Sequence, residues 1–157
     1  MKTMNENNYP PLHMSRVLDT PRQAVWDAWT KPDEFKQWYM PAPYSVPFCE
    51  FDLQPGGKLH VDTMGPDGEI MPLIGTFNVV DEPAKLVLTN SPLDADGNKL
   101  FEVQHTILLS EVDGKTTLEI TSEVLSAGPY ADQFLSGMEP GLRQAFEQLA
   151  VLLTSVH

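Results

Sequence analysis

The stretch LFEVQHTILLSEVDGKTTLEITSEV, residues 100–124, contains two runs of alternating apolar and polar residues on either side of an Asp-Gly dipeptide. Asp113 and Gly114 suit the tight turn of a β-hairpin, because both central positions of that turn require a positive φ. In the first run, Val103 and Ile107 fall on the same face of the strand. The sequence therefore predicts an antiparallel hairpin with one apolar face.

Five further strands are predicted upstream of this hairpin. Each is a short run rich in β-branched, aromatic or alternating apolar residues, bounded by turn sequences such as QPGG, GPDG and DEPA. The predicted strands are residues 12–18, 45–53, 57–64, 70–80 and 85–90. We take the hairpin strands as residues 100–112 and 115–124, so that the sheet has about six or seven strands.

Helical patterns lie after the first strand and at the end of the chain. DTPRQAVWDAW (19–29) predicts a helix with Asp19 or Thr20 as N-cap and Pro21 at the first helical position. A second short helix is expected over residues 33–38. Beyond Gly128, apolar residues recur every three or four positions and predict a long amphipathic helix whose regular part begins near Ser136.

This order of elements predicts an α+β fold, in which a curved antiparallel sheet wraps around the long C-terminal helix. At 157 residues the chain is of ordinary size for one domain. We expect a flexible N-terminal tail at residues 1–10 and a single domain over residues 11–157.

Composition and charge exclude several classes of function. The formal net charge of -12 disfavours nucleic acid and anionic lipid as partners, since both are themselves negatively charged. No apolar run is long enough to span a membrane, and Cys49 is the only cysteine. We expect a cytoplasmic protein without membrane insertion, disulfide, metal or cofactor.

Four spaced blocks carry a resemblance to a known family: TPRQAVWDAWTKPDEFKQWYMP (20–41), EFDLQPGGKL (50–59), GTFNVVDEPAKLVLT (75–89) and LSEVDGKTTLEI (109–120). In this order they resemble the family named after the activator of heat-shock protein 90 ATPase, within the START/SRPBCC (Bet v 1-like) superfamily of helix-grip proteins. The chain departs from that family at Gln54, where members usually carry Arg, and at Leu142, where they usually carry Trp.

The resemblance implies a cavity between the sheet and the C-terminal helix that holds an apolar molecule. It also implies that the segment PDEFKQWYMPAP (32–43) closes the open end of this cavity, with its four large apolar side chains as a lid. The alternative is that these side chains complete the core. The residues predicted to contact a ligand are Trp29, Trp38, Tyr39, Phe48, His60, Met64, Phe77, His105, Met138 and Leu142.

Two histidines are candidates for chemistry. His105 lies on the apolar face of its strand, either as a hydrogen-bonded core residue or as a polar contact to a ligand. His60 and Asp62 form an H-x-D pair, but a metal site needs a third ligand and none is in view. The sequence therefore assigns no metal ligand and no catalytic residue.

Three functions remain open at this stage. We favour non-covalent binding of an apolar or amphipathic small molecule, such as a lipid or a polyketide-like compound. The alternatives are a cyclase- or aromatase-like enzyme that uses His105 or His60 as a proton carrier, and a single-domain cofactor of a chaperone ATPase. Formation of a homodimer through an exposed strand edge is also open.

Overall fold

The computed structural model describes residues 9–128, 132 and 135–154. Its centre is a seven-stranded antiparallel sheet with the strand order β1-β7-β6-β5-β4-β3-β2. The strands are β1 Leu12–Leu18, β2 Ser45–Phe51, β3 Lys58–Met64, β4 Ile70–Asp81, β5 Lys85–Pro92, β6 Phe101–Val112 and β7 Lys115–Ala127. The helices are α1 Arg22–Thr30, α2 Pro32–Phe35 and α3 Met138–Thr154. The predicted α+β, helix-grip-like arrangement is confirmed.

The β6–β7 hairpin has the turn that its sequence predicts. Asp113 and Gly114 adopt φ values of 54° and 79°, and Val112 pairs directly with Lys115. A non-glycine residue in this left-handed region is uncommon, and Asp is one of the few that enters it readily. The sheet is open, because β1 and β2 each pair with a neighbour on one side only.

Helix α1 begins one residue later than predicted. Pro21 has φ -63° and ψ 152°, so it is the extended residue before the helix rather than the first helical residue. Neither Asp19 nor Thr20 caps the helix through a side chain, because the N-cap position belongs to Pro21. The helix buries Val25 and Trp29 against the sheet, as its spacing predicts.

Helix α2 covers Pro32–Phe35 and is shorter than the predicted 33–38. Pro32 occupies its first turn, where its missing N–H has no intrahelical partner to lose. Hydrogen-bonded turns follow, and the Tyr39 N–H donates to the Phe35 carbonyl at 3.2 Å. Residues 32–39 therefore form one compact segment, a short helix followed by turns, that brings several aromatic rings together.

Helix α3 begins at Met138, two residues after the predicted start. Pro140 and Gly141 lie in its first turn, where proline is tolerated. Residues 129–131, 133 and 134, between β7 and α3, lie outside the described residues. The buried stripe of α3 consists of Leu142, Ala145, Phe146 and Leu149.

One face of the sheet, called the inner face here, packs against α1 and α3. Arg16 of β1 forms an ion pair with Glu147 of α3 at 3.1 Å, at the edge of this contact. Residues 1–8 of the predicted tail lie outside the described residues, whereas Tyr9 packs near Val103 and donates a hydrogen bond to Asp132. Within the described part of the chain, no helix combines the length and apolarity needed to cross a membrane.

Candidate functional site

Two spaces lie between the inner face of the sheet and the helices. One is a small cavity of about 20 Å³ beneath the aromatic residues of α1 and α2. The other is a groove of about 610 Å³ that opens to solvent beside the first turn of α3. We call them the cavity and the groove.

The groove has three walls. The first turn of α3 contributes Met138, Gly141 and Leu142, and the segment after α2 contributes Tyr39, Met40, Pro41 and Tyr44. The sheet supplies the third wall through β3, β4, β5 and β6, with Thr63, Met71, Leu73, Asn90, Val103 and His105. Most of these side chains are apolar, and Glu69 at the rim is the only acidic residue among those that the structure describes in the lining.

Four residues line both the groove and the cavity and form the boundary between them. These residues, called the neck, are Tyr39, Asn90, His105 and Leu142. Asn90, His105 and Leu142 are buried and Tyr39 is half-buried. Three of the four carry a hydrogen-bonding group, so the floor of this mostly apolar groove is polar.

His105 lies on β6 directly opposite Leu88 of β5 and Ser122 of β7. Its Nδ1 is 2.7 Å from the Ser122 hydroxyl, so one ring nitrogen is hydrogen-bonded inside the sheet. Burial lowers the pKa of His105 to about 4, because a charged imidazolium would lose its hydration there. His105 is therefore neutral at physiological pH, and the prediction that it lies on the apolar face is confirmed.

Tyr39 and Asn90 connect the segment after α2 to the sheet. The two side chains are hydrogen-bonded, and burial raises the pKa of the Tyr39 phenol although this hydrogen bond partly opposes the effect. Asn90 follows Leu86 and Leu88 on the inner face of β5, where its polar side chain needs partners. The two polar groups that Tyr39 and Asn90 contribute to the neck, a phenol and an amide, are therefore uncharged.

Trp29 of α1 lines the cavity below the neck. Only 3% of its surface is exposed, and its indole Nε1 has no hydrogen-bond acceptor among the described residues. A buried donor without a partner is costly, by about 1–3 kcal/mol. By contrast, Trp38 Nε1 donates to the Ala28 carbonyl at 2.9 Å.

Gln148 of α3 holds the segment over the groove in place. Its Nε2 donates to the carbonyls of Trp38 at 2.9 Å and Met40 at 2.8 Å. Its Oε1 accepts from the Ala42 N–H at 3.1 Å, and Gln144 Nε2 donates to the Ala42 carbonyl at 3.3 Å. These bonds fasten the wall formed by residues 38–42 to the helix.

The structure places six of the ten predicted ligand residues at the two spaces. Tyr39, His105, Met138 and Leu142 line the groove, while Trp29 and Phe77 line the cavity. Within the segment expected to act as a lid, Tyr39 and Met40 meet the groove, whereas Phe35 lines the cavity. Trp38 lines neither space, because it is fully buried between Trp29, Phe35 and Phe146.

Phe48, His60 and Met64 do not line the groove, so the expectation that they share it is corrected. They belong to the outer face of the sheet, since the neighbouring residues Leu59 and Val61 of β3 line the cavity. The Phe48 ring lies 5.7 Å from the His60 ring, and 47% of Phe48 is exposed.

A β-bulge explains the position of Phe48. Val46 is buried, and strict alternation along β2 would place Phe48 on the same face. The register of β2 against β3 shifts between Ser45 and Phe48, after which Cys49 and Phe51 pack against the core instead. One extra residue in a strand reverses the faces of all residues after it.

The outer face holds a second, polar depression of about 680 Å³ beside His60. His60 Nε2 lies 2.7 Å from Asp62 Oδ1, as the H-x-D pattern suggests. Lys58, Lys99, Glu50 and Glu102 mix both signs of charge around it. In residues 9–128, 132 and 135–154, no cluster of three or more His, Cys, Asp or Glu side chains could hold a metal ion.

Asn90 is a neck residue that sequence reasoning missed. The signal was present, because Leu86, Leu88 and Asn90 alternate along one strand and the first two are core residues.

Cys49 is no candidate nucleophile. Burial is the main cause that raises the pKa of its thiol to about 11, with Asp33 adding to the effect and Lys36 opposing it.

The family model described as Activator of Hsp90 ATPase homolog 1-like protein matches residues 19–154 of the chain. No curated protein matches the sequence.

Solved structures match nearly the whole chain. A protein from Nitrosomonas europaea has 26% identity and a TM-score of 0.79, with 92% of this chain and 94% of that chain covered. A protein from Staphylococcus epidermidis has 28% identity and a TM-score of 0.76, with 92% and 90% covered. An AHSA1 protein from Silicibacter pomeroyi has the same fold at 19% identity, with a TM-score of 0.79 and 94% and 100% covered.

Proposed function

Because the chain belongs to the Activator of Hsp90 ATPase homolog 1-like family, we propose that it binds an apolar or amphipathic small molecule non-covalently in the groove. The fold is one that commonly binds hydrophobic ligands. The groove lies between the sheet and α3, which is where the family resemblance places a ligand.

The observation that carries this proposal is an apolar groove of about 610 Å³ with a small polar floor. Ligand pockets commonly measure about 300–1,000 Å³ and combine mostly apolar walls with a few polar groups that orient the ligand. In this groove the apolar walls include Met71, Leu73 and Met138, and the polar floor includes Asn90 and His105. Removal of apolar side chains from water is favourable, so a ligand that covers the walls of the groove stabilises the complex.

The catalytic alternative has less support from the geometry. His105 is hydrogen-bonded to the hydroxyl of Ser122 and not to an acid, so this bond provides no acid partner for proton transfer. His60 has an acid partner in Asp62, but the pair lies on the outer face, away from the groove. Binding through shape and apolar contact needs neither arrangement.

The decisive experiment is to fill the groove at Gly141. A Cβ atom there would meet only Pro41 Cγ, at 3.9 Å, which is an ordinary contact distance. We expect Gly141→Phe to fold but to weaken binding of the uncharged fluorescent dye Nile red by about 10-fold or more, because the ring takes up part of the apolar space. Fluorescence titration at equal protein concentrations measures the change.

Gly141→Ala is the matched control, because it removes the same glycine and adds only one methyl group. It should bind Nile red within about 2-fold of the unchanged protein. Native mass spectrometry of the freshly purified protein adds a second test, in which a co-purifying small molecule is expected and should be lost in Gly141→Phe. The proposal is overturned if Nile red does not bind, or if it binds the two Gly141 variants equally well.

A further inference from the structure

We propose that the neck is a subsite for an uncharged oxygen-bearing group, a hydroxyl or a carbonyl, and that the groove therefore selects neutral amphiphiles over fatty-acid-like anions. This inference rests on the proposed function and deepens it by naming the class of ligand. Four independent features of the neck and its surroundings support it.

The first feature is the set of hydrogen-bonding groups at the floor. Tyr39 contributes a phenol, Asn90 an amide and His105 an imidazole, and all three side chains line both the groove and the cavity. A phenol, an amide and a neutral imidazole can each donate one hydrogen bond and accept another. They can therefore serve a hydroxyl, which does both, or a carbonyl, which only accepts.

The second feature is the absence of a counter-ion. None of the groove-lining side chains that the structure describes is a lysine or an arginine, and the one charged group, Glu69, is an exposed carboxylate at the rim. The chain as a whole carries a formal charge of -12. A carboxylate ligand would meet repulsion from the protein and no cationic partner at the floor.

The third feature is that the floor destabilises charge. His105 is buried among Leu88, Ile120 and Leu142, which line the same cavity, and its pKa is lowered by loss of hydration. A ligand anion placed there would also lose its hydration, and an ion that loses water without gaining a counter-ion is strongly destabilised. A neutral oxygen is destabilised far less, because one or two hydrogen bonds replace its water.

The fourth feature is the size of the space below the neck. The cavity that Trp29 lines has a volume of about 20 Å³. This volume holds about one water-sized group. A single oxygen at this depth, from water or from the ligand, fits this space, whereas a carboxylate has two oxygens and a charge.

Three naphthalene probes of nearly equal shape test the inference: 2-naphthol, 2-naphthoate and 2-methylnaphthalene. At about pH 7 the naphthol is neutral, as its phenol-type hydroxyl ionises near the pKa of tyrosine, and the naphthoate is an anion. Each probe competes with Nile red on the unchanged protein. We expect 2-naphthol to displace the dye at about 10-fold lower concentration than 2-naphthoate, and at about 3- to 10-fold lower concentration than 2-methylnaphthalene.

Tyr39→Phe and Tyr44→Phe form a matched pair of variants. Each removes one phenol oxygen, from the neck in the first case and from the exposed rim of the groove in the second. Tyr39→Phe should abolish most of the preference for 2-naphthol over 2-methylnaphthalene, while Tyr44→Phe should leave it unchanged within about 2-fold. The comparison of probes on the unchanged protein does not depend on how either variant folds.

The outcomes separate this inference from the proposed function. If Nile red and 2-methylnaphthalene bind but 2-naphthoate competes as well as 2-naphthol, groove binding stands and selection for a neutral group is overturned. If Tyr39→Phe and Tyr44→Phe change the preference for 2-naphthol equally, the neck is not the site that recognises the hydroxyl, and only that part of the proposal is overturned. If Nile red itself does not bind, both proposals fail together.

Discussion

The space between the sheet and the helices has two ends that differ in how completely side chains fill it. At the filled end, the rings of Trp29 and Trp38 lie 4.8 Å apart, and each lies 5.6–6.4 Å from the rings of Phe35 and Phe146. They leave a cavity of about 20 Å³. The open end contains a groove of about 610 Å³, which is lined by Gly137, Met138 and Gly141 on one side and by Pro41 on the other. One end resembles an ordinary protein core, and the other resembles a ligand site.

This difference shows that the helix-grip-like framework does not by itself decide whether it holds a ligand. Close packing stabilises protein interiors, so an unfilled apolar space that persists in a fold is a cost to stability. Here the cost is restricted to the end where glycines and a flexible methionine replace rings. The two ends should therefore respond oppositely to substitution: removal of side chains should damage the filled end, and addition should benefit the open end.

The largest effect is expected from Trp38→Ala at the filled end. Trp38 is fully buried, contacts four other rings and donates a hydrogen bond to the Ala28 carbonyl. We expect its truncation to lower the free energy of unfolding by about 3–5 kcal/mol, measured by urea denaturation. Met138→Ala at the open end is the control and should cost only about 1 kcal/mol, because Met138 is half-buried. Equal costs would contradict the division into two ends.

A somewhat smaller effect is expected from acid, acting through His105 at the boundary between the ends. Its pKa falls from 6.5 to about 4 in the folded protein, so between these values the unfolded chain binds more protons than the folded one. The contribution of His105 to stability should therefore decline as the pH falls from 6.5 towards 4, by about 3 kcal/mol in total. Urea denaturation at several pH values measures this loss.

NMR titration of the His105 ring provides the direct check of this pH dependence. In the folded protein the ring should titrate near the pKa of about 4 that burial imposes. His60→Gln is the control variant, because it leaves His105 in place and alters only the outer face. Titration of the His105 ring at its ordinary pKa would show that the neck is hydrated and would weaken the contrast between the two ends.

The smallest effect is a gain in stability from Gly141→Ala at the open end. Gly141 lies in the first turn of α3, and a Cβ atom there meets only Pro41 Cγ at an ordinary distance. Alanine favours the helix over glycine, so we expect a gain of about 0.5–1 kcal/mol in the free energy of unfolding, measured by urea denaturation. A decrease in the free energy of unfolding would mean that the space beside Gly141 cannot take an added methyl group, which would contradict the description of this end as open.

Much of the fold could be predicted from the sequence because its signals are local. The boundaries of β1 follow the predicted 12–18, and the other strands end within three residues of their predicted limits. Their residues alternate and their turns contain residues that favour turn geometry. The starts of two helices were predicted with similar accuracy, since Pro21 lies one residue before the start of α1 and Ser136 lies two residues before the start of α3.

Less of the candidate site could be predicted, because strand phase identifies two faces but not the ligand-facing part of either. His60 and Met64 could have been placed correctly, since they alternate with the clearly apolar Leu59 and Val61. Phe48 could not, because the bulge in β2 that reverses its face has no clear signal in SVPFCEF. Trp38 was predicted either to close the cavity or to complete the core, and its ring contacts and its hydrogen bond to the Ala28 carbonyl place it in the core.

The sequence by itself determined the order of strands and helices, the antiparallel hairpin at Asp113–Gly114 and the apolar faces that must be buried, because alternation, helical spacing and turn residues act over a few neighbouring positions. Only the tertiary structure decided which buried residues meet a groove and which fill the core. Tyr39, Asn90 and His105 come from distant parts of the chain and converge only when the segment after α2 packs beside β5 and β6. The remaining space depends on the summed volumes and rotamers of all side chains around it, and no local pattern encodes that sum.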